Sequence, residues 1–203
     1  MLKFTSKETH KRLQINAGLL FSDFNLRDLK RVADVKERIN ELLSDGENFL
    51  GATRDGFVFR SQPVFRRYRE DGELFGSVNS TVIRGWDIEL SATLAEFAPD
   101  ILTRFLPNSV IDSQELNMAV LDIRKILLNQ YVENLVWIGD LSNGGLIAIE
   151  LRNAVNVGGI SFDARQETEN GIKIRFIPHS GEFFDKTKPP FQIYFFGNEE
   201  SEY

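Results

Sequence analysis

From Trp86 to Leu94 the chain reads Trp-Asp-Ile-Glu-Leu-Ser-Ala-Thr-Leu, apolar and polar side chains alternating without a break. Successive side chains of a strand point to opposite faces, so this period of two suits a strand with one face in a core and one in water. Trp86, Ile88, Leu90, Ala92 and Leu94 fall on the side predicted to be buried. Asp87, Glu89, Ser91 and Thr93 fall on an acidic, hydroxyl-bearing side. What that second face looks out on is the functional question.

The same alternation recurs along the chain. Leu13, Ile15, Ala17, Leu19 and Phe21 predict an N-terminal strand, and Phe49 opens a β-rich stretch through Tyr68. Pro63 has no N–H for a ladder, so it is placed on a strand edge or at a bulge. A turn is predicted at Asp71-Gly72. Strands are also predicted over Leu135 to Leu141 and Leu146 to Arg152, joined by Ser142-Asn143-Gly144-Gly145, a hairpin signal. Ile160 to Arg165, Ile172 to Phe176 (after a turn near Glu169-Asn170-Gly171) and Phe191 to Phe196 alternate likewise, the last preceded by a proline-stiffened loop from Lys186. Between Leu26 and Leu43 the period changes: Leu29, Val32, Ala33, Ile39, Leu42 and Leu43 recur at helical spacing, with Asn25 as N-cap and Ser44-Asp45-Gly46 as stop. A second, short helix is predicted from Pro99 to Leu106, closed by Pro107. The expectation is a mainly β chain: a two-sheet β-sandwich or partial barrel with one or two α-helices, in a single domain over residues 1–203 with a helical insertion at about 26–44.

Composition narrows the function classes. A chain of 203 residues with 42% hydrophobic residues and 17 phenylalanines can bury an aromatic core. Its net charge of −6 argues against gripping a nucleic-acid backbone, which needs clustered Lys and Arg. There is no cysteine, hence no disulfide or thiolate chemistry. The N-terminus has no apolar run suited to a signal peptide and no segment suits a membrane span, so a cytoplasmic, soluble protein is expected.

Catalytic patterns are scarce in the sequence. The two histidines, His10 and His179, have no acidic or sulfur companion at ligand spacing, so no metal or cofactor is expected. No phosphate loop and no G-x-S-x-G elbow occurs. Acidic pairs such as Asp87 with Glu89 suit a solvated face better than a glycosidase pair. No enzymatic activity is expected.

Several short elements, in order, resemble the major tail tube proteins of long-tailed bacteriophages and prophages. Gly51-Ala52-Thr53-Arg54-Asp55-Gly56 resembles that family's Gly-Ala-Thr-Arg-Gly-Gly element, with Asp55 in place of a glycine. Phe57 to Glu70, Asp71-Gly72, Gly85-Trp86-Asp87-Ile88-Glu89-Leu90 and Ala98-Pro99-Asp100-Ile101-Leu102 are similar to the hairpin, turn, Trp-bearing strand and Pro-opened helix that follow it. Further on, Tyr131-Val132-Glu133-Asn134-Leu135-Val136-Trp137-Ile138-Gly139, Arg152-Asn153-Ala154-Val155-Asn156 and Pro189-Pro190-Phe191-Gln192-Ile193-Tyr194 resemble the family's Tyr-Leu-Glu-Asn-hydrophobic element, its Lys-Asn-Ala-Leu-Asn turn and its closing strand. The predicted helix over 26–43 is longer than the connection the family would have there.

The resemblance implies a structural virion protein. Its subunits would form a hexameric ring, and stacked rings would make a tube whose acidic channel conducts DNA without specific binding. Partners would be other copies of the chain, a tape-measure protein, and tail terminator or tip proteins, with no membrane; the site would be the host cytoplasm during assembly and then the virion tail. Asp87, Glu89, Ser91 and Thr93 are candidates for the lumen wall, since carboxylates repel phosphates. Leu29, Val32, Ile39, Arg54, Tyr68 and Tyr194 are candidates for contact between subunits. The alternatives are a carbohydrate- or receptor-binding β-sandwich of a tail tip, the tube protein of a contractile tail or type VI secretion-like system, and a hydrolase working through an unrecognised carboxylate pair.

Overall fold

The computed structural model describes residues 18–46, 48–68, 81–96, 98–107, 109–115, 118–123, 131–162, 171–180 and 188–197. In chain order the elements are β1 (Leu19–Phe21), α1 (Val32–Asp45), β2 (Phe49–Arg67), β3 (Thr81–Leu94), α2 (Pro99–Phe105), β4 (Ser109–Glu115), β5 (Met118–Ile123), β6 (Val132–Asp140), β7 (Leu146–Asn156), β8 (Ser161–Phe162), β9 (Ile172–Pro178) and β10 (Phe191–Phe196). The predicted turns at Asp71-Gly72 and Glu169-Asn170 lie outside the described residues. So do residues 13–17 of the predicted first strand, 163–165 of the strand predicted from Ile160, and the start of the loop predicted from Lys186.

The chain is mainly β, as expected. One antiparallel sheet runs β10-β7-β6-β1-β2-β3-β9-β8, and a further pairing of β9 with β7 closes it into a partial barrel. The closure depends on a change of neighbour along one edge of β7. Phe191 to Phe196 of β10 pair with Leu151 to Leu146, and Phe176 to Pro178 of β9 then pair with Asn156 to Ala154. Asn153 sits at the changeover with φ 47°, a left-handed conformation that Asn tolerates better than most residues. Residues 152–156 are therefore a kinked part of a strand and not the turn that the resemblance implied.

Hydrophobic residues are buried on both faces of this sheet. Inside, Leu20, Leu50, Leu90, Leu94, Trp137, Leu151, Ile172 and Phe176 pack together, and α2 contributes Ile101, Leu102 and Phe105. Outside, α1 lays Val32, Val35 and Leu42 over Phe21, Val136, Ile138, Ala148 and Phe196. At about 1.5–3 kcal/mol per fully buried aliphatic side chain, this outer layer is a substantial share of the hydrophobic stabilisation. Because β6 is covered on both sides, Leu135 to Ile138 are all buried, which is why the sequence there is a continuous apolar run.

The helices differ in detail from expectation. α1 starts at Val32, well after Leu26. The Asn25 side chain accepts the Arg27 N–H at 3.0 Å, so it caps a turn and not the helix. The Asp34 carboxylate reaches back to accept the Arg31 N–H at 3.2 Å and its guanidinium at 2.7 Å, and Gly46 closes the helix with φ 64°. That pairing with Arg31 holds the Asp34 carboxyl below the usual carboxylate range. In α2, Pro99 occupies the first turn, and the Arg104 guanidinium donates to the Gly46 and Phe49 carbonyls at 2.9 and 3.2 Å, tying α2 to the loop that leaves α1. The β4–β5 hairpin packs on α2 and has no counterpart among the expected elements; its alternation is interrupted by a register shift between Ile111 and Ser113.

Candidate assembly surface

The β2–β3 hairpin is longer than the body it belongs to. β2 pairs with β1 only through Phe49 to Ala52, and β3 pairs with β9 only from Leu90 to Leu94. From Phe57 to Arg67, and from Thr81 to about Ile88, the two strands are paired only with each other among the described residues. They form an arm with two open edges. Pro63 lies in this edge section, as its missing N–H requires.

The Gly51-to-Gly56 element sets where the arm begins. Arg54 pairs with Thr93 and Phe57 with Ala92, so Asp55 and Gly56 form a bulge. Gly56 has φ 86°, a backbone that a side chain would strain. The bulge re-aims β2 as it leaves the barrel.

Side chains on the arm become more exposed away from the barrel. Ile88, Leu90, Ala92 and Leu94 are buried as the alternation predicts, but Trp86 is 37% exposed. The expectation that Trp86 belongs to the core is corrected: the period of two holds, yet the strand outruns the layer that would cover it. Trp86 and Phe59 instead meet Phe191 of β10, with ring centroids at 6.3 and 5.1 Å. Beyond them Phe65 and Ile83 are more than half exposed. On β10, Ile193 and Phe195 share the face of Phe191 and are 42% and 59% exposed. β10 pairs only with β7, so its outer edge is also open among the described residues.

Asp87, Glu89, Ser91 and Thr93 line the outer face of β3, but the face is not acidic. Cα partners across the sheet place Gln62, Arg60, Val58 and Arg54 of β2 beside them in that order, and Arg175 and Lys173 of β9 beside Ser91 and Thr93. Arg60 thus lies beside Glu89, and Arg54, Lys173 and Arg175 follow beside Ser91 and Thr93 on the same face. The acidic reading treats one strand in isolation, and its neighbours overturn it; the register of distant strands is not written in a local pattern.

The six candidate contact residues do not form one surface. Val32 is buried on the sheet-facing side of α1, and Leu29 and Ile39 pack on the outer core, so the helix covers its own sheet. Arg54 lies half-buried beside Thr93. Tyr68 is exposed on the arm with the Arg66 guanidinium 5.0 Å from its ring centre. Tyr194 lies against its own sheet: its hydroxyl donates to the buried Glu150 carboxylate at 2.7 Å, and burial with that carboxylate pushes its phenol up to about 12. Arg152 donates to Gln192 at 2.6 Å, so polar bonds fasten the outer face of β10 to β7.

A cavity of about 550 Å³ lies at the other end of the barrel, lined by Ser22, Asp23, Asn48, Arg104, Tyr131 and Asn156 among others. No group of three or more metal-ligating side chains occurs among the described residues, and no helix there is long and apolar enough to cross a membrane. Comparison with models of known protein families and with curated proteins found no match for this chain.

Proposed function

We propose that this protein is structural, a tail-tube-like subunit that assembles with copies of itself into rings, and through stacked rings into a tube for DNA passage. The observation that carries this reading is the open sheet: among the described residues, an arm with two unpaired edges, a third unpaired edge on β10, and large apolar side chains exposed on arm and β10 alike. Unpaired backbone groups recruit other chains unless charge, proline or a cover blunts the edge, and on β2 Pro63, Arg60, Arg66 and Arg67 do so only in part. Here Val58, Phe65, Ile83 and Phe195 are left exposed along them. The order of the tail-tube-like sequence elements adds to this, and the Gly51-to-Gly56 element has a physical task in shaping the arm.

If the outer face of β3 lines a channel, the wall there is a mixture of carboxylates and cations. DNA would then slide over a locally balanced surface and not an acidic one. Sedimentation velocity over a rising concentration series tests the assembly. A discrete, closed oligomer supports the reading; a sugar-dependent shift in melting of a strict monomer would favour a carbohydrate-binding sandwich instead.

A further inference from the structure

We propose that the free edge of β2 on one copy takes up the β4–β5 hairpin of the next copy, an inference that rests on the self-assembly reading above. Both elements are strands with open edges: residues 57–67 of β2 pair only with β3, and β4 and β5 pair only with each other among the described residues. Within one molecule the two do not pair. Both also expose apolar side chains, Val64 and Phe65 on β2 and Met118 and Val120 on β5.

Charge selects the pairing. Residues 57–68 contain Arg60, Arg66 and Arg67 and no carboxylate, whereas residues 109–123 contain Asp112, Glu115 and Asp122 and no basic residue. In a chain that is −6 overall, this arginine strand matches the acidic hairpin, while two β2 edges brought together would set like charges opposite each other. The contact uses two different surfaces of one chain, so it is head-to-tail, and repetition closes a ring or extends a filament. Main-chain bonds would supply the adhesion and the charges the choice of strand.

Two charge-reversed proteins test it: Arg66→Glu with Arg67→Glu, and Asp112→Lys with Glu115→Lys. Each alone should self-associate about tenfold more weakly than the parent by sedimentation, with unchanged thermal melting of the monomer. Mixed in equal amounts they should recover assembly, because every interface then joins opposite charges; the fourfold variant should recover it too. If the parent assembles and either variant does so equally well, or if mixing folded variants restores nothing, the pairing is wrong while self-assembly stands. A parent that stays monomeric overturns both.

Discussion

Trp86 of β3 and Phe191 of β10 meet edge-on, their ring centroids 6.3 Å apart and their planes at 72°, although the two strands are not hydrogen-bonded neighbours. On one side of this contact lies the apolar interior of the barrel. On the other, both strands carry apolar side chains into solvent.

A contrast between the two tryptophans follows. Trp137 is 1% exposed and stacks on Phe57, so Trp137→Ala should cost about 3–5 kcal/mol in denaturant unfolding. Trp86→Ala removes a part-exposed ring and should cost the monomer less than about 2 kcal/mol. Its effect on self-association should be the larger one, as for an aromatic at an interface. Equal losses at both sites would return Trp86 to the core.

Thr53 is a buried hydroxyl with three partners. It donates to the Gly18 carbonyl at 2.9 Å and accepts from the Gly18 N–H at 2.9 Å and the Trp137 indole at 3.4 Å. Thr53→Val should cost about 1–3 kcal/mol by orphaning two donors, and Thr53→Ser should keep most of the stability. A valine variant as stable as the parent in urea would show that these bonds add nothing.

The Tyr194 phenol is raised in the folded protein to about 12 from its ordinary value near 10. Stability from the neutral phenol is therefore complete below pH 10 and is lost as pH rises toward 12. Tyr194→Phe should flatten that part of the stability profile relative to the parent. Identical slopes in both proteins would show that the hydroxyl contributes nothing there.

Asp87→Lys with Glu89→Lys would leave only cations on the outer face of β3, beside Arg60, Lys173 and Arg175. If this face lines a channel, assembly should survive and DNA ejection should slow, because phosphates would bind the wall. If the proposed tube forms, DNA passage at the parental rate through tubes of the double variant would place the face elsewhere.

The inward-facing strand residues are legible in the sequence because burial imposes a period of two. From Ile88 to Leu94 on β3, and from Ile172 to Phe176 on β9, the alternation in sequence is also the alternation in space. The step from a strand to its surroundings is not legible in the same way. Trp86 keeps the rhythm of the core and leaves its cover, and Asp87 and Glu89 acquire Gln62 and Arg60 as neighbours from another strand. On β10 the residues that read as core-facing, Ile193 and Phe195, are exposed, while Phe196 on the opposite face is buried under α1. The β4–β5 hairpin gives no clear signal because its register slips after Ile111 and breaks the alternation. Local period reports that a residue is in a strand; only tertiary placement decides what lies against it.

In our reading, this open sheet is completed by other copies of the same chain. Negative-stain electron microscopy of the concentrated protein tests that most directly. Uniform closed rings with a central channel, alone or stacked, are the predicted result. Isolated single subunits at every concentration would contradict it.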